Sequence, residues 1–339
     1  MIFFTLIILL LGFIGIFFGG KYVIVGLENI SSRLGISHLL VGLTVLAIGT
    51  SLPEISVSVM GGIDKLLGYS EIIDGIVIGN KIGSFLVNIT LILGLLGLSQ
   101  HIFVSKWILR REGPMLFISV IIFLIVAVDG VITRFDAGIL ILSYSLYLIL
   151  IIKSEKKIER IKNEKELLET EELDQVDFIP IEYAKKTTSI KKDIGIFLIG
   201  LLILLLAAEI VVLSAIDLAT EFNIPGNVVG ILIVGIGTSI PELSVDLIAL
   251  RRKSAGIAVG DILGSNICDI LLATGSGAII TSFNVPSILI LFDIPMLFGA
   301  ILITYFSLLT EKVLKRWESI LLLSYFGFYS FLKLLFFSI

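Results

Sequence analysis

Ten long apolar runs separated by short polar breaks leave this 339-residue chain few folds to choose from. A helix needs ~20 mostly apolar residues to cross a bilayer. The runs are Ile2–Gly26, Leu39–Gly62, Ile72–Leu98, Pro114–Val131, Ala137–Ile152, Ile194–Ala219, Val228–Leu250, Ala255–Ile280, Pro286–Leu309 and Ile320–Phe337, the fourth and fifth being short. Hydrophobic residues make up 57% of the chain and charged residues 16%, against ~45–50% and ~25% in soluble domains. A water-soluble body would have to expose too much of that apolar surface. The expected fold is all-α: a polytopic membrane protein with ten transmembrane helices, its first partner the lipid bilayer. Met1–Phe18 lacks a basic start and a small-residue cleavage site, so it reads as a span rather than a signal peptide. The net charge of −4 gives no electrostatic case for nucleic acid, and the single Cys268 excludes an intrachain disulfide.

The segment 153–193 breaks the pattern. It holds 21 of the chain's 54 charged residues and reads as a solvated linker with a charged helix near Lys156–Leu168. It divides the chain into halves 1–152 and 194–339. With the N-terminus outside, the inner loops carry 20 Lys/Arg and the outer segments three, Lys65, Arg134 and Lys333, while Lys21 and Lys81 fall within spans. The excess of inner cations predicts both termini outside and a cytoplasmic charged loop.

Self-comparison reveals a repeat. Residues 42–59, GLTVLAIGTSLPEISVSV, match 230–247, GILIVGIGTSIPELSVDL, at nine of 18 positions with an offset of 188. Residues 79–89, GNKIGSFLVNI, match 260–270, GDILGSNICDI, at four of 11 with an offset of 181. Each copy occupies the second and third spans of a five-span half. Five is odd, so the second half enters the membrane from the opposite side and the repeats are inverted. Inverted repeats with interrupted helices at matching positions point to a secondary transporter with its site near the midplane.

The residues inside the repeat define the chemistry. Glu54 and Glu242 lie deep in apolar spans, where an isolated charge costs at least ~2.5 kcal/mol. Pro53 and Pro241 lack the N–H that would bond Gly49 and Gly237, so each helix is expected to open around GTS and turn carbonyls near 47–50 and 235–238 to a cavity. Ser51 and Glu54, and Ser239 and Glu242, are three apart; Ser84 and Asn88, and Ser265 and Asp269, are four apart. These are same-face spacings on a helix. Every side chain in the set offers oxygen, the preference of hard cations, and Cys268 should turn off that face. Glu54, Glu242 and Asp269 total −3 when ionised; one Ca²⁺ or several Na⁺ neutralise most of that, and both loads do not fit together. Mutual exclusion on shared ligands is what an antiporter requires.

The twin G-T-S-[LI]-P-E motifs, each followed by G-[ND]-x-x-G-S-x-x-x-[ND], resemble the α-repeats of the sodium/calcium exchanger family, within the cation/calcium antiporter superfamily. The motifs cover about 60 residues, and the span and loop pattern extends the resemblance along the chain. It implies alternating access, with spans two, three, seven and eight enclosing the site and spans one and six sliding across it; the small loop and minimal architecture point to the cell membrane. It also implies electrogenic exchange of about three Na⁺ per Ca²⁺. Carried over residue by residue, the acidic centre falls on Glu54 and Glu242, and the hydroxyls on Ser51, Ser84, Ser239 and Ser265. The backbone ligands fall on Ala47, Thr50, Gly235 and Thr238, and the remaining polar pair on Asn88 and Asp269. No cofactor, catalytic group or obligate protein partner is implied beyond the transported Ca²⁺ and Na⁺. A proton-coupled or potassium-dependent calcium antiporter and a passive cation channel are the alternatives. An intramembrane hydrolase would need a nucleophile with its base, an aspartyl dyad or H-E-x-x-H, which the sequence lacks.

The copies differ. Leu232 stands opposite Thr44, Gly235 opposite Ala47, Asp246 opposite Ser58 and Asp261 opposite Asn80. Lys81 follows Asn80 where an apolar residue is expected; it reads as snorkelling to an interface, or as pairing with Asp246 or Asp261. Gly15 and Gly19 suggest helix packing, Trp107 and Trp317 interfacial anchors, and Lys21 and Glu209 cavity-facing or interfacial positions. His38 and His101 lack metal-ligand neighbours, and the sequon at Asn88 lies inside a span.

Overall fold

A computed structural model describes residues 2–33, 46–69, 72–104, 106–166, 189–251, 255–309 and 313–337. The start of the second expected span, with Thr44, lies outside the described residues, as do His38 and 167–188 of the charged segment. Ten helical elements follow one another: α1 (Ile2–Arg33), α2 (Leu52–Leu67, after the short turn Ala47–Thr50), α3 (Ile73–Ser99), α4 (Lys106–Ala127), α5 (Arg134–Glu166), α6 (Ile190–Glu221), α7 (Gly226–Arg251), α8 (Ala255–Cys268, continued through Asp269–Ala273 and Thr274–Ala278), α9 (Leu289–Leu309) and α10 (Arg316–Phe337). Eight of them are long and apolar enough to span a membrane. The other two are α2 and α4. The expected apolar run of α2 begins before Leu46, and α4 carries charge in its first turns.

Local sequence explains the boundaries. Pro53 sits in the first turn of α2, where its missing N–H costs nothing. Gly68 closes that helix in the left-handed region, φ 80°, and donates to the carbonyls of Asp64 and Lys65. Thr133 and Asp136 cap α5 reciprocally: the Thr133 N–H donates to Asp136 Oδ2 at 2.9 Å, and the Asp136 N–H to Thr133 Oγ1 at 3.3 Å. The fourth and fifth spans are longer than the apolar pattern indicates. Pro114 lies inside α4 rather than at its start, and α5 runs unbroken into the charged segment as far as Glu166.

The inverted symmetry is visible in the loops. β1 (Ile102–Phe103), after α3, pairs with β4 (Val313–Leu314), after α9; β2 (Val131–Ile132), after α4, pairs with β3 (Phe283–Asn284), after α8. Exchanging the halves turns one pair into the other. The same exchange relates two polar contacts between helices. Tyr147 on α5 donates to Glu112 on α4 at 2.5 Å, and Tyr329 on α10 donates to Asp293 on α9 at 2.6 Å. Their cations differ: Arg111 meets Glu112 at 2.6 Å near the edge of the protein, whereas the fully buried Lys333 meets Asp293 at 2.6 Å. Lys333, read from sequence as an outer-segment charge, is therefore part of the packed interior.

Every residue of Ile73–Leu86 in α3 is buried. By contrast α1 exposes Phe3, Phe4, Leu10 and Leu11, the outward apolar face expected against lipid. Helices α1 and α6 pack through small residues. A Cβ on Gly15 would come 2.7 Å from that of Ala207, and one on Gly19 would come 2.8 Å from the Leu204 nitrogen.

Candidate functional site

The GTS segments form the predicted helix breaks, but each is a single turn rather than an unwound stretch. Ser51 separates Ala47–Thr50 from α2, and Ser239 interrupts α7. The Ala47 carbonyl accepts the Ser51 N–H at 3.2 Å and the Thr50 hydroxyl at 3.3 Å; the Gly235 carbonyl accepts the Ser239 N–H at 3.3 Å and the Ser239 hydroxyl at 2.9 Å. These two oxygens are thus engaged by their own turns. Opposite them, wide helical turns span Val87–Ile92 in α3 and Asp269–Ala273 in α8. Asn88, second residue of the first, and Asp269, first residue of the second, occupy positions matched by the repeat. Such π-type turns recur at functional sites because they release carbonyls and re-aim side chains.

The four segments converge on one hydroxyl. Ser84 on α3 lies 2.9 Å from Glu54 Oε1 on α2, 3.0 Å from Ser239 Oγ on α7 and 3.2 Å from Asp269 Oδ2 on α8. Ser51 donates to the Ser265 carbonyl at 3.3 Å. The Ser265 hydroxyl turns back to the Ile262 carbonyl at 3.3 Å. Glu242 has Glu54, Asp269 and Asp261 as its electrostatic neighbours. Two further contacts are related by the repeat. Thr50 Oγ1 donates to Asp261 Oδ1 at 3.3 Å, and the Asn80 amide donates to Thr238 Oγ1 at 2.9 Å. Cys268 lies beside Ser51 and Tyr144, outside this oxygen set.

All twelve predicted site residues are buried, and the three carboxylates are fully so. Glu54 Oε2, both Glu242 oxygens, Asn88 Oδ1 and Asp269 Oδ1 have no donor. Buried carboxylate oxygens are normally satisfied by donors or by cations. Among the described residues no three acidic, His or Cys side chains lie close enough to hold an ion alone. Hydroxyl, amide and main-chain oxygens must complete any coordination sphere.

Three features escaped the sequence reading. Lys81 neither snorkels nor reaches Asp246 or Asp261. It is fully buried, donating to the main-chain carbonyl of Glu54 and to Asn80 Oδ1 at 2.7 Å. Asn266, one residue after Ser265, accepts from the Asn88 amide at 3.3 Å and extends the polar centre; its place directly after the G-S pair, inside an apolar run, was the available signal. Gly235 is small for a steric reason, since a Cβ there would lie 2.9 Å from the Gly83 carbonyl carbon and the Ser84 nitrogen. Lys21 is exposed, whereas Glu209 packs against Asp64. A cavity of about 950 Å³ opens between the α2–α3, α6–α7 and α8–α9 loops, lined by Asp74, Gly75 and Asn227 among others. Gly75 lies about 9 Å along α3 from Lys81 at 1.5 Å per residue.

Two inverted halves that bring broken helices and buried carboxylates to a shared centre define a secondary antiporter for cations. A profile described as "Sodium/calcium exchanger protein" matches residues 4–153 and 192–335. The chain belongs to the sodium/calcium exchanger family. It is 28% identical to the sodium/calcium exchanger MaX1 of Methanosarcina acetivorans over 359 residues, covering 98% of each chain. It is 33% identical over 269 residues to an uncharacterised membrane protein of Methanocaldococcus jannaschii, covering 79% of this chain and 80% of that one. A solved structure of the sodium-calcium exchanger NCX_Mj superposes over 100% of both chains with a TM-score of 0.64 and 27% identity.

Proposed function

We propose that this antiporter exchanges Na⁺ for Ca²⁺ through a single site built by both halves, with Glu54, Glu242 and Asp269 as its charged ligands. The hydroxyls of Ser51, Ser84, Ser239 and Ser265 and the oxygens of Asn88, Thr50, Thr238, Ala47 and Gly235 complete it. The carrying observation is the Ser84 hydroxyl in contact with Glu54, Ser239 and Asp269 from three other helices, in a centre where five ligand oxygens lack a donor. Ca²⁺ takes ~6–8 oxygens, several of them anionic, and this set supplies that mixture. Na⁺ uses the same oxygens, so one load must leave before the other enters.

Helices α1 and α6, joined to each other through close glycine contacts, slide as a pair past the rest of the bundle. The halves 1–152 and 194–339 act as the inverted repeat units, joined by the charged segment 153–193. The cation excess of the inner loops supports a cell-membrane protein with both termini outside and that segment in the cytoplasm. In this orientation the 950 Å³ cavity lies at the outer entrance.

Ca²⁺ uptake into Na⁺-loaded proteoliposomes diluted into Na⁺-free buffer tests the reading. Uptake should require internal Na⁺ and disappear in Glu54→Gln and Glu242→Gln. Uptake that follows an imposed pH gradient and ignores Na⁺ would replace it with proton coupling. Uptake needing no counter-ion would indicate a channel.

A further inference from the structure

Lys81 has no counterpart in the second half, where Ile262 occupies the matching position. Its ammonium is completely enclosed, and both its hydrogen bonds end on neutral oxygens: the main-chain carbonyl of Glu54 and the side-chain amide of Asn80. Its electrostatic partners are the carboxylates of Glu54 and Asp269, both assigned above to the ion site, together with the neighbouring Cys268. A carbonyl and an amide oxygen beside two carboxylates form the environment a bound monovalent cation takes in an oxygen site. Here the cation is covalently attached to the protein.

We infer that Lys81 is a tethered cation that supplies one fixed positive charge next to the site and lowers the number of Na⁺ exchanged per Ca²⁺ by one. This rests on the exchange reading above and refines its coupling. The three site carboxylates, partly neutralised by one fixed ammonium, are balanced by one Ca²⁺ or by two Na⁺. A third Na⁺ would leave an excess positive charge in an enclosed apolar setting, which is strongly unfavourable. Asp261 acts on Glu242, but neither it nor Asp246 is among the charges that act on Lys81, and both are present alike in the wild type and in Lys81→Met, so they do not alter the comparison. Exchange in the wild-type protein is then electroneutral, and its Ca²⁺ accumulation does not respond to membrane potential.

The full chain in proteoliposomes, with paired ²²Na⁺ and ⁴⁵Ca²⁺ fluxes at clamped potential, tests this directly. The expected Na⁺:Ca²⁺ ratio is about two in the wild type and about three in Lys81→Met, because removing the fixed charge restores one Na⁺ position. In Lys81→Met, but not in the wild type, a 100 mV change should alter the Ca²⁺ accumulation ratio by about fifty-fold, the equivalent of one elementary charge moved. A lysine that only ties α3 to the Glu54 carbonyl would change the rate and leave the ratio alone. Equal ratios in the two proteins would overturn the inference. So would a wild-type ratio of three, which decides the matter even if Lys81→Met does not fold. Ca²⁺ flux independent of Na⁺ would instead overturn the exchange reading itself.

Discussion

The two halves share one skeleton and divide the charge unequally. In each, a threonine of the GTS turn reaches across to the other half, Thr50 to Asp261 and Thr238 to Asn80. In each, a tyrosine on the last helix bonds an acid on the helix before it. Yet the first half places Ser58, Asn80 and Lys81 where the second places Asp246, Asp261 and Ile262. The geometry is duplicated and the electrostatics are not. Helix packing and hydrogen-bond positions can be inherited as a pair, whereas a site that holds one load at a time needs only the correct total charge.

The largest difference between halves should appear in stability. Lys333→Met strands the buried Asp293 and is expected to cost about 3–5 kcal/mol, read as a lowered unfolding midpoint with the Na⁺:Ca²⁺ ratio unchanged. Arg111→Met, at the matching contact, should cost less, because Arg111 is partly exposed whereas Lys333 is fully enclosed. Equal losses would mean that the two contacts are energetically equivalent and that the halves do not differ here.

Transport comes next. Glu54→Gln and Glu242→Gln should each lower Na⁺-dependent Ca²⁺ uptake by about 100-fold, the scale of losing a charged buried partner. Their ion-free stabilities should separate. Glu242 has two oxygens without donors, whereas Glu54 has Ser84 at 2.9 Å. Neutralising Glu242 should therefore raise the thermal midpoint in ion-free buffer more than neutralising Glu54 does.

Smaller effects test the backbone and the remaining charges. Gly235→Ala makes the second copy resemble the first at Ala47, but it pushes a methyl into the Gly83–Ser84 backbone and should cost about 1–3 kcal/mol. The smallest effect concerns Asp261→Asn, which makes that position match Asn80. Added to Lys81→Met, it should leave the flux ratio of the single variant unchanged, since Lys81 does not contact Asp261. Recovery of the wild-type ratio would restore a direct Lys81–Asp261 pairing.

Much of the centre was legible in the chain because its ligands sit three or four residues apart within short, duplicated motifs. Helical periodicity alone puts Ser51 with Glu54 and Ser84 with Asn88 on shared faces. What remained hidden depends on contacts between distant helices. Spacing cannot say that Lys81 ends on the Glu54 carbonyl, 27 positions away, rather than at an interface. Nor does hydropathy pair Asp293 with Lys333, 40 positions away. The charged start of α4 was lost for a related reason: Arg111 and Glu112 look like a loop until Tyr147 supplies a partner. Gly235 stood out in the sequence only as a difference from Ala47, because the approach of Gly83 belongs to another helix.

The central claim is that two halves make one ion site, and the number of Ca²⁺ bound to the purified protein tests it most directly. Equilibrium ⁴⁵Ca²⁺ binding should give one ion per chain, displaced by Na⁺, and lost in both Glu54→Gln and Glu242→Gln. Two ions per chain, each abolished by only one of those substitutions, would mean that each half holds its own site and would contradict the account.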